Sequence, residues 1–207
     1  MTSVPQQHWQ SVYRDRTAAQ TSWFCPHLDM SLDLIADLKL APATAVIDVG
    51  GGRSTLVDDL VVRGFSDITV LDIAEAALAE SAARLGSDAG QVAWLVADIT
   101  ATELPAARFG LWHDRAVFHF LVDEAARRRY VEQASRALQP GGHLIIATFA
   151  ADGPERCSGL TVRRYDAETL AAQFAPDFER VADRRDLHRT PRDSEQAFTY
   201  VVLRRKS

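Results

Sequence analysis

Between residues 45 and 149, short apolar runs alternate with longer stretches in which apolar positions recur every three or four residues. Ala45-Val46-Ile47-Asp48-Val49 is apolar on both sides of an extended chain, as a strand covered from two faces must be. Ile68 to Asp72, Val92 to Ala97, Phe109 to Val117 and His143 to Phe149 read as four more strands. Ser31 to Leu40 carries a helical stripe of Leu32, Ile35 and Leu38, with Pro42 soon after its end. A second helix begins behind Thr55 as cap, with Asp58 at the capping-box position, and ends near Gly64. Glu75 to Leu85 stops at Gly86, and Asp123 to Leu138 opens on Asp123 as a cap. Pro140-Gly141-Gly142 breaks the chain sharply before the fifth strand. Beyond it, the pattern predicts a helix over Ala167 to Phe174 and strands over Phe178 to Leu187 and Ala197 to Leu203.

Strands alternating with helices at this spacing require βαβ units and a parallel sheet. The predicted fold is a Rossmann-like three-layer αβα sandwich with a seven-stranded, mostly parallel sheet and an antiparallel last strand. Residues 1–30 stand outside the alternation: a polar arm bearing His8, Trp9, Tyr13, Trp23 and Phe24. The chain thus divides into an arm, 1–30, and an α/β domain, 31–207.

Composition narrows the partners. With 47% hydrophobic and 25% charged residues the chain is an ordinary globular sequence, and a net charge of −5 argues against a nucleic-acid binder. The C-terminal arginines Arg163, Arg164, Arg180, Arg184, Arg185, Arg189 and Arg192 are interleaved with acids, as on a solvated, ion-paired surface. No apolar run approaches the roughly 20 residues that span a bilayer, and residues 1–10 lack a secretory pattern. Only two cysteines occur, and Cys25, His27, Cys157 and His188 have no short ligand spacing, so no metal is expected. These features point to a cytoplasmic protein and fix no oligomeric state.

Chemistry enters at the strand ends. Asp48-Val49-Gly50-Gly51-Gly52 sits where a strand feeds a helix, and glycines there let the backbone turn tightly and a ligand approach it. Asp72 ends the second strand, where a carboxylate can accept both hydroxyls of a ribose. Asp98 follows the third, within reach of an adenine amino group. All three carboxylates fall at the carboxyl edge of a parallel sheet, the edge where such folds bind ligands. Helix capping by Asp72 and turn formation by Asp98 are the plain structural alternatives. A dinucleotide site would show G-x-G-x-x-G/A, but Thr55 stands in the third place. Asp48 before the turn suits a cationic amino group better than a diphosphate, which favours S-adenosylmethionine over NAD.

These segments resemble the class I S-adenosylmethionine-dependent methyltransferases. Ile47-Asp48-Val49-Gly50-Gly51-Gly52 is similar to the family's first motif, Leu71-Asp72-Ile73 to its second, and Ala97-Asp98-Ile99 to its third. Leu138-Gln139-Pro140-Gly141-Gly142-His143-Leu144 resembles its L-K-P-G-G-x-L turn. The resemblance implies that Asp48, Gly50, Gly51 and Gly52 lie along the methionine moiety, Asp72 with Ile73 at the ribose, and Asp98 with Ile99 at the adenine. Trp112 to Phe118 resembles the L-D-K-G-T-L/F segment of methyltransferase-like protein lysine methyltransferases, and His8-Trp9 through Tyr13 to Trp23-Phe24 resembles their arm. By that likeness Tyr13 and Trp23 cover the methionine or methyl end, and Asp114 or Arg115 meets the cofactor's amino-acid part. The departures are Arg115-Ala116-Val117 for Lys-Gly-Thr, and His119 where that group has an acid. Both weaken a lysine acceptor, which wants carboxylates near its amine.

Methyl transfer from a sulfonium needs alignment and exclusion of water more than a proton-transfer group. His119, just after the fourth strand, is the candidate general base. His113 within that strand reads as structural. Glu155 to Leu160, with Cys157 among them, and His188 with Arg189 are candidates for the acceptor pocket. The expected product is S-adenosylhomocysteine, and the leading acceptor a small molecule. A protein lysine is the alternative, followed by a thiol or metalloid. An NAD-dependent oxidoreductase and a non-catalytic cofactor-binding module are the rivals from other classes.

Overall fold

A computed structural model describes residues 4–207, so the first three residues of the expected arm lie outside the described residues. In chain order the elements are α1 (Val4–Asp15), α2 (Asp29–Asp37), β1 (Val46–Val49), α3 (Leu56–Val62), β2 (Ile68–Asp72), α4 (Glu75–Leu85) and β3 (Val92–Val96). There follow β4 (Phe109–Arg115), α5 (Glu124–Ala137), β5 (Leu138–Phe149), the two-residue strands β6 (Arg156–Cys157) and β7 (Leu160–Thr161), α6 (Ala167–Ala172), β8 (Phe178–Arg189) and β9 (Glu195–Arg205).

The sheet order is β3-β2-β1-β4-β5-β9-β8. Strands β1 to β5 pair in parallel, and β9 runs antiparallel to both β5 and β8. The expected seven-stranded, mostly parallel sheet with an antiparallel last strand is therefore present. The order reverses between β1 and β4, which opens a crevice at the carboxyl ends of the strands.

Alternation along each strand builds two cores. Val46, Leu111, Ile145 and Val202 join Leu32, Ile35, Leu56 and Leu60 on one face. Ile47, Trp112, Ile146 and Val201 join Tyr130, Ala134, Leu170 and Phe174 on the other. Burying both faces is what makes the inner strands read as continuous apolar runs. The edge strand β8 differs: most of its residues are exposed and charged, which blunts an open edge against further pairing.

Three expectations are corrected. The arm contains the 12-residue helix α1, whose apolar positions Trp9, Val12 and Tyr13 fall at i, i+3 and i+4 among glutamines that mask the stripe. Thr55 precedes α3 but caps nothing: at φ −89° and ψ 1° its backbone is not extended, and its buried hydroxyl has no partner. Ser54 Oγ accepts from Leu56 N instead (3.1 Å), and Asp58 pairs with Arg84 (2.7 Å). Finally, Pro140-Gly141-Gly142 lies within β5 as a bulge, because Leu138 pairs with Phe109 and His143 with Leu111. Gly141 takes the positive φ (+77°) that this bulge needs.

Candidate functional site

A cleft of about 510 Å³ lies over the carboxyl ends of β1 to β4, and a smaller recess of about 50 Å³ continues behind the β1 turn. The turn is shaped by its own backbone. Gly50 N donates to Leu71 O (2.6 Å), and Gly50 and Gly52 hold φ of +71° and +42°. A Cβ at Gly50 would overlap Val117 Cγ2, and one at Gly51 would sit 2.6 Å from Asp48 Oδ2. One at Gly52 would meet both Tyr13 Oη (2.7 Å) and Asp72 Oδ2 (2.9 Å). The glycines are thus needed for close approach as well as for conformation.

Asp72, at the end of β2, lines the cleft and accepts from Ala74 N through Oδ1 (2.8 Å). Burial pushes its pKa up to about 7, against backbone donors that oppose the shift. Asp98 also lines the cleft, while its Oδ1 accepts from Thr100 N (2.8 Å) and Thr100 Oγ1 (2.7 Å), so it organises its turn as well. Ile73 and Ile99 stand beside these acids on the cleft wall.

Asp48 and His113 are direct neighbours in the β1–β4 register, which brings Asp48 Oδ1 within 2.7 Å of His113 Nδ1. His113 Nε2 lies 2.9 Å from Ser31 Oγ on α2. The three residues are 2%, 1% and 0% exposed. This is a serine–histidine–aspartate chain, but its serine is sealed between helix and sheet and meets no open space, so it is no hydrolytic nucleophile. Asp48 Oδ2 is buried without a partner at the wall of the small recess.

Residues 4–24 close over the cleft. Trp9, Tyr13 and Trp23 form an aromatic trio with ring centroids 6.0–6.4 Å apart, and Trp9 packs on Phe120 at 5.0 Å. Core side chains hold the arm by its backbone carbonyls. Arg53, paired with Glu80, donates to Tyr13 O and Arg16 O; Arg115 Nη1 donates to Trp23 O (3.1 Å), and His188 Nε2 to Ser22 O (2.8 Å). The arm is therefore both a roof for the cleft and a staple to the core.

Several expected site residues are not at the cleft. Asp114 is fully buried, its carboxylate accepting from Val117 N (2.8 Å), Phe118 N (3.1 Å) and the Tyr130 hydroxyl. Burial raises its pKa to about 6, and it shapes the chain after β4 rather than meeting a ligand. His119, the expected general base, is sealed among Phe120 and Phe149, with Nδ1 accepting from Phe149 N (3.4 Å). Desolvation, helped by Arg115, drives its pKa down to about 3, so it stays a neutral, weakly basic imidazole away from the cleft. His188 holds the arm and does not line the cleft. Cys157 does line it, but burial pushes its thiol up to about 11, which keeps it protonated and inert at neutral pH. Among the described residues no group of three His, Cys, Asp or Glu is placed to hold a metal.

Of the far wall, the sequence reading reached Cys157 and Leu160 but missed Phe120, Phe149, Gln196 and Phe198. It also passed over Arg53, and over Ala116, which holds a left-handed φ of +77° on the cleft wall. The signal for Ala116 was present, since it stands at the glycine of the resembled segment.

Residues 46–142 match the family model described as "Methyltransferase domain". The mouse eEF1A lysine and N-terminal methyltransferase is 26% identical over 149 residues, 69% of this chain and 21% of that protein. The chain thus spans about a fifth of the length of these relatives. An uncharacterized methyltransferase of Mycobacterium tuberculosis is 31% identical over 134 residues, covering 65% of this chain and 62% of its own. In fold, the chain is similar to Burkholderia thailandensis 1,6-didemethyltoxoflavin-N1-methyltransferase, solved with S-adenosylhomocysteine (TM-score 0.71, 22% identity, 98% of this chain and 84% of that one). It is also similar to a structure described for the conversion of a disulfide into a thioacetal during echinomycin biosynthesis (TM-score 0.76, 18% identity, 97% and 91%).

Proposed function

We infer that this chain is a class I S-adenosylmethionine-dependent methyltransferase and that it transfers the cofactor's methyl group to a small-molecule acceptor. The observation that carries the cofactor half is the unpartnered Asp48 Oδ2, buried beside the glycine turn. A buried carboxylate oxygen without a partner is costly, and a cationic ammonium is the group that satisfies it best. A diphosphate would be repelled there. Asp72 and Asp98 offer acceptors for ribose hydroxyls and an adenine amine, and Tyr13, Trp9 and Trp23 roof the cleft with π faces suited to a sulfonium. S-adenosylmethionine, when bound, supplies a methyl group already activated on sulfur.

The chain's own work is then alignment and exclusion of water. The arm closes the cleft, the glycine turn and Asp48 fix one end of the cofactor, and Arg115 stands between the two halves of the cleft. No proton-transfer group is assigned, because His119 is both buried away from the cleft and poorly basic. A small-molecule acceptor is favoured over a protein lysine by the same wall: Arg115 borders the acceptor half and disfavours an ammonium beside it. Neither the 1,6-didemethyltoxoflavin-N1-methyltransferase nor the eEF1A lysine and N-terminal methyltransferase decides between these acceptors. Radiolabelled S-adenosylmethionine added to a crude lysate, with the protein and small-molecule fractions counted separately, tests the choice. Label in the small-molecule fraction supports the reading; label confined to protein overturns it.

A further inference from the structure

The half of the cleft beyond β1 has a chemistry of its own. Strand order places Asp72 and Asp98 over β2 and β3, on one side of the β1–β4 crevice, and Phe149 and Phe198 over β5 and β9 on the other. The far half is walled by Phe120, Phe149, Phe198, Leu160, Cys157 and Gln196. Phe149 and Phe198 pack edge to face at 4.9 Å, and the Arg115 guanidinium lies 4.6 Å over Phe198. Among the described residues on this wall there is no carboxylate. Asp123, near the mouth, spends its carboxylate capping α5 through Ala126 N (2.9 Å).

Within this apolar surface one polar atom is left over. Gln196 is 9% exposed, and its Oε1 is buried with no hydrogen-bond partner. An unsatisfied buried carbonyl costs free energy that a ligand's donor recovers. Aromatic walls favour a flat ring, which stacks or packs edge-on against them. Arg115 disfavours a cation.

Resting on the cofactor reading above, we propose that the far half of the cleft is the acceptor subsite, taking an uncharged planar aromatic molecule whose ring N–H or O–H donates to Gln196 Oε1. That hydrogen bond fixes the ring so that a free lone pair, on the hydroxyl oxygen or on the second ring nitrogen of an azole, faces the cofactor end. That lone pair forms the new bond to the methyl carbon as the carbon–sulfur bond breaks, its electron pair passing to sulfur. The acceptor's proton leaves to water at the cleft mouth, since an amide is no base. Gln196 is thus a specificity-determining residue, and the thiol of Cys157 is part of the wall.

The test uses the whole protein saturated with S-adenosylhomocysteine, with benzimidazole, its N-methyl derivative and N-acetyl-lysine amide as probes, each titrated by ligand-observed NMR. Benzimidazole is expected to bind at least tenfold more tightly than N-acetyl-lysine amide. Gln196→Leu is expected to weaken benzimidazole at least fivefold, leave N-methylbenzimidazole within twofold, and leave the affinity for S-adenosylhomocysteine unchanged. Gln196→Asn, which keeps the amide at the strand, serves if the leucine variant does not fold; it is expected to show the same selective loss. Equal binding of the ring and the lysine probes, or equal loss of both ring probes in the variant, overturns the proposal while the cofactor reading stands. Failure of the unmodified protein to bind S-adenosylhomocysteine removes the cofactor reading and this proposal with it.

Discussion

The two halves of the cleft are built on different principles. The half over β1, β2 and β3 consists of strand ends and the turns that follow them: Gly50 to Gly52, Asp72 with Ile73, and Asp98 with Ile99. Each contributes residues adjacent in sequence, held by backbone hydrogen bonds that leave little freedom. The half over β4, β5 and β9 is assembled from side chains scattered from Phe120 to Phe198, joined only by packing. The first is a backbone device that tolerates few replacements; the second is a side-chain surface on which selectivity can change without loss of the fold. Substitutions should therefore separate into those that remove cofactor binding and those that leave it intact.

The largest effect is expected at the turn. Gly50→Ala forces a Cβ onto Val117 at a positive φ, costing about 2–4 kcal/mol of stability. Urea denaturation should show that loss, and binding of S-adenosylhomocysteine should vanish. A variant of near-native stability and affinity would deny that the backbone shapes this half.

Asp72 comes next. Asp72→Ala should weaken S-adenosylhomocysteine by about 1–3 kcal/mol through lost charged hydrogen bonds. The pH dependence sharpens the assignment. The folded pKa, about 7, lies above the ordinary carboxylate value of 3.8, so the ligand-free fold holds this proton more tightly than the unfolded chain. Its contribution to stability is complete below pH 4 and is lost as pH rises to about 7. Hydroxyl donors favour the ionised form, so affinity should rise with pH through 7 and then level off. Calorimetry between pH 5.5 and 8.5 should show this slope in the unmodified protein and none in Asp72→Ala; an identical slope in both would assign it to another group.

A smaller, more selective effect is expected at His113, which holds Asp48 by a 2.7 Å hydrogen bond at the wall of the small recess. His113→Leu frees the carboxylate and should weaken S-adenosylhomocysteine by about tenfold. Methylthioadenosine lacks the amino-acid end and should bind the variant as it binds the unmodified protein. Parallel losses for both ligands would make His113 a matter of packing alone. Smallest of all, Leu160→Ala lies in the far half and should alter S-adenosylhomocysteine affinity by no more than about 0.5 kcal/mol. A larger change would erase the division between the halves.

The same division explains what could be read before the structure was in hand. The βα alternation is a local signal, and strands β1 to β5 follow it to within a few residues. The glycine turn and the acids after β2 and β3 are equally local, and they meet at one edge because parallel strands bring their carboxyl ends together. His119 shows where locality fails. Its position after β4 suggested access to the cleft, but Phe120 beside it and Phe149, 30 residues further on, enclose it. Asp114 shows the same: its partner Tyr130 lies on α5, and no spacing in the chain announces a bond that consumes the carboxylate. Gln196 and Phe198 reach the cleft only because β9 inserts between β5 and β8, a non-local pairing. The helix in the arm escaped notice because its stripe is aromatic and only five residues long.

The central claim is that the cleft is shaped for a sulfonium-bearing nucleoside and against a dinucleotide. Calorimetric titration of the purified protein with S-adenosylmethionine, S-adenosylhomocysteine and NAD tests it most directly. Saturable binding of the first two, with no heat of binding from NAD, is the predicted result. Binding of NAD alone would mean that the turn after β1 receives a diphosphate despite Asp48, and the claim would be wrong.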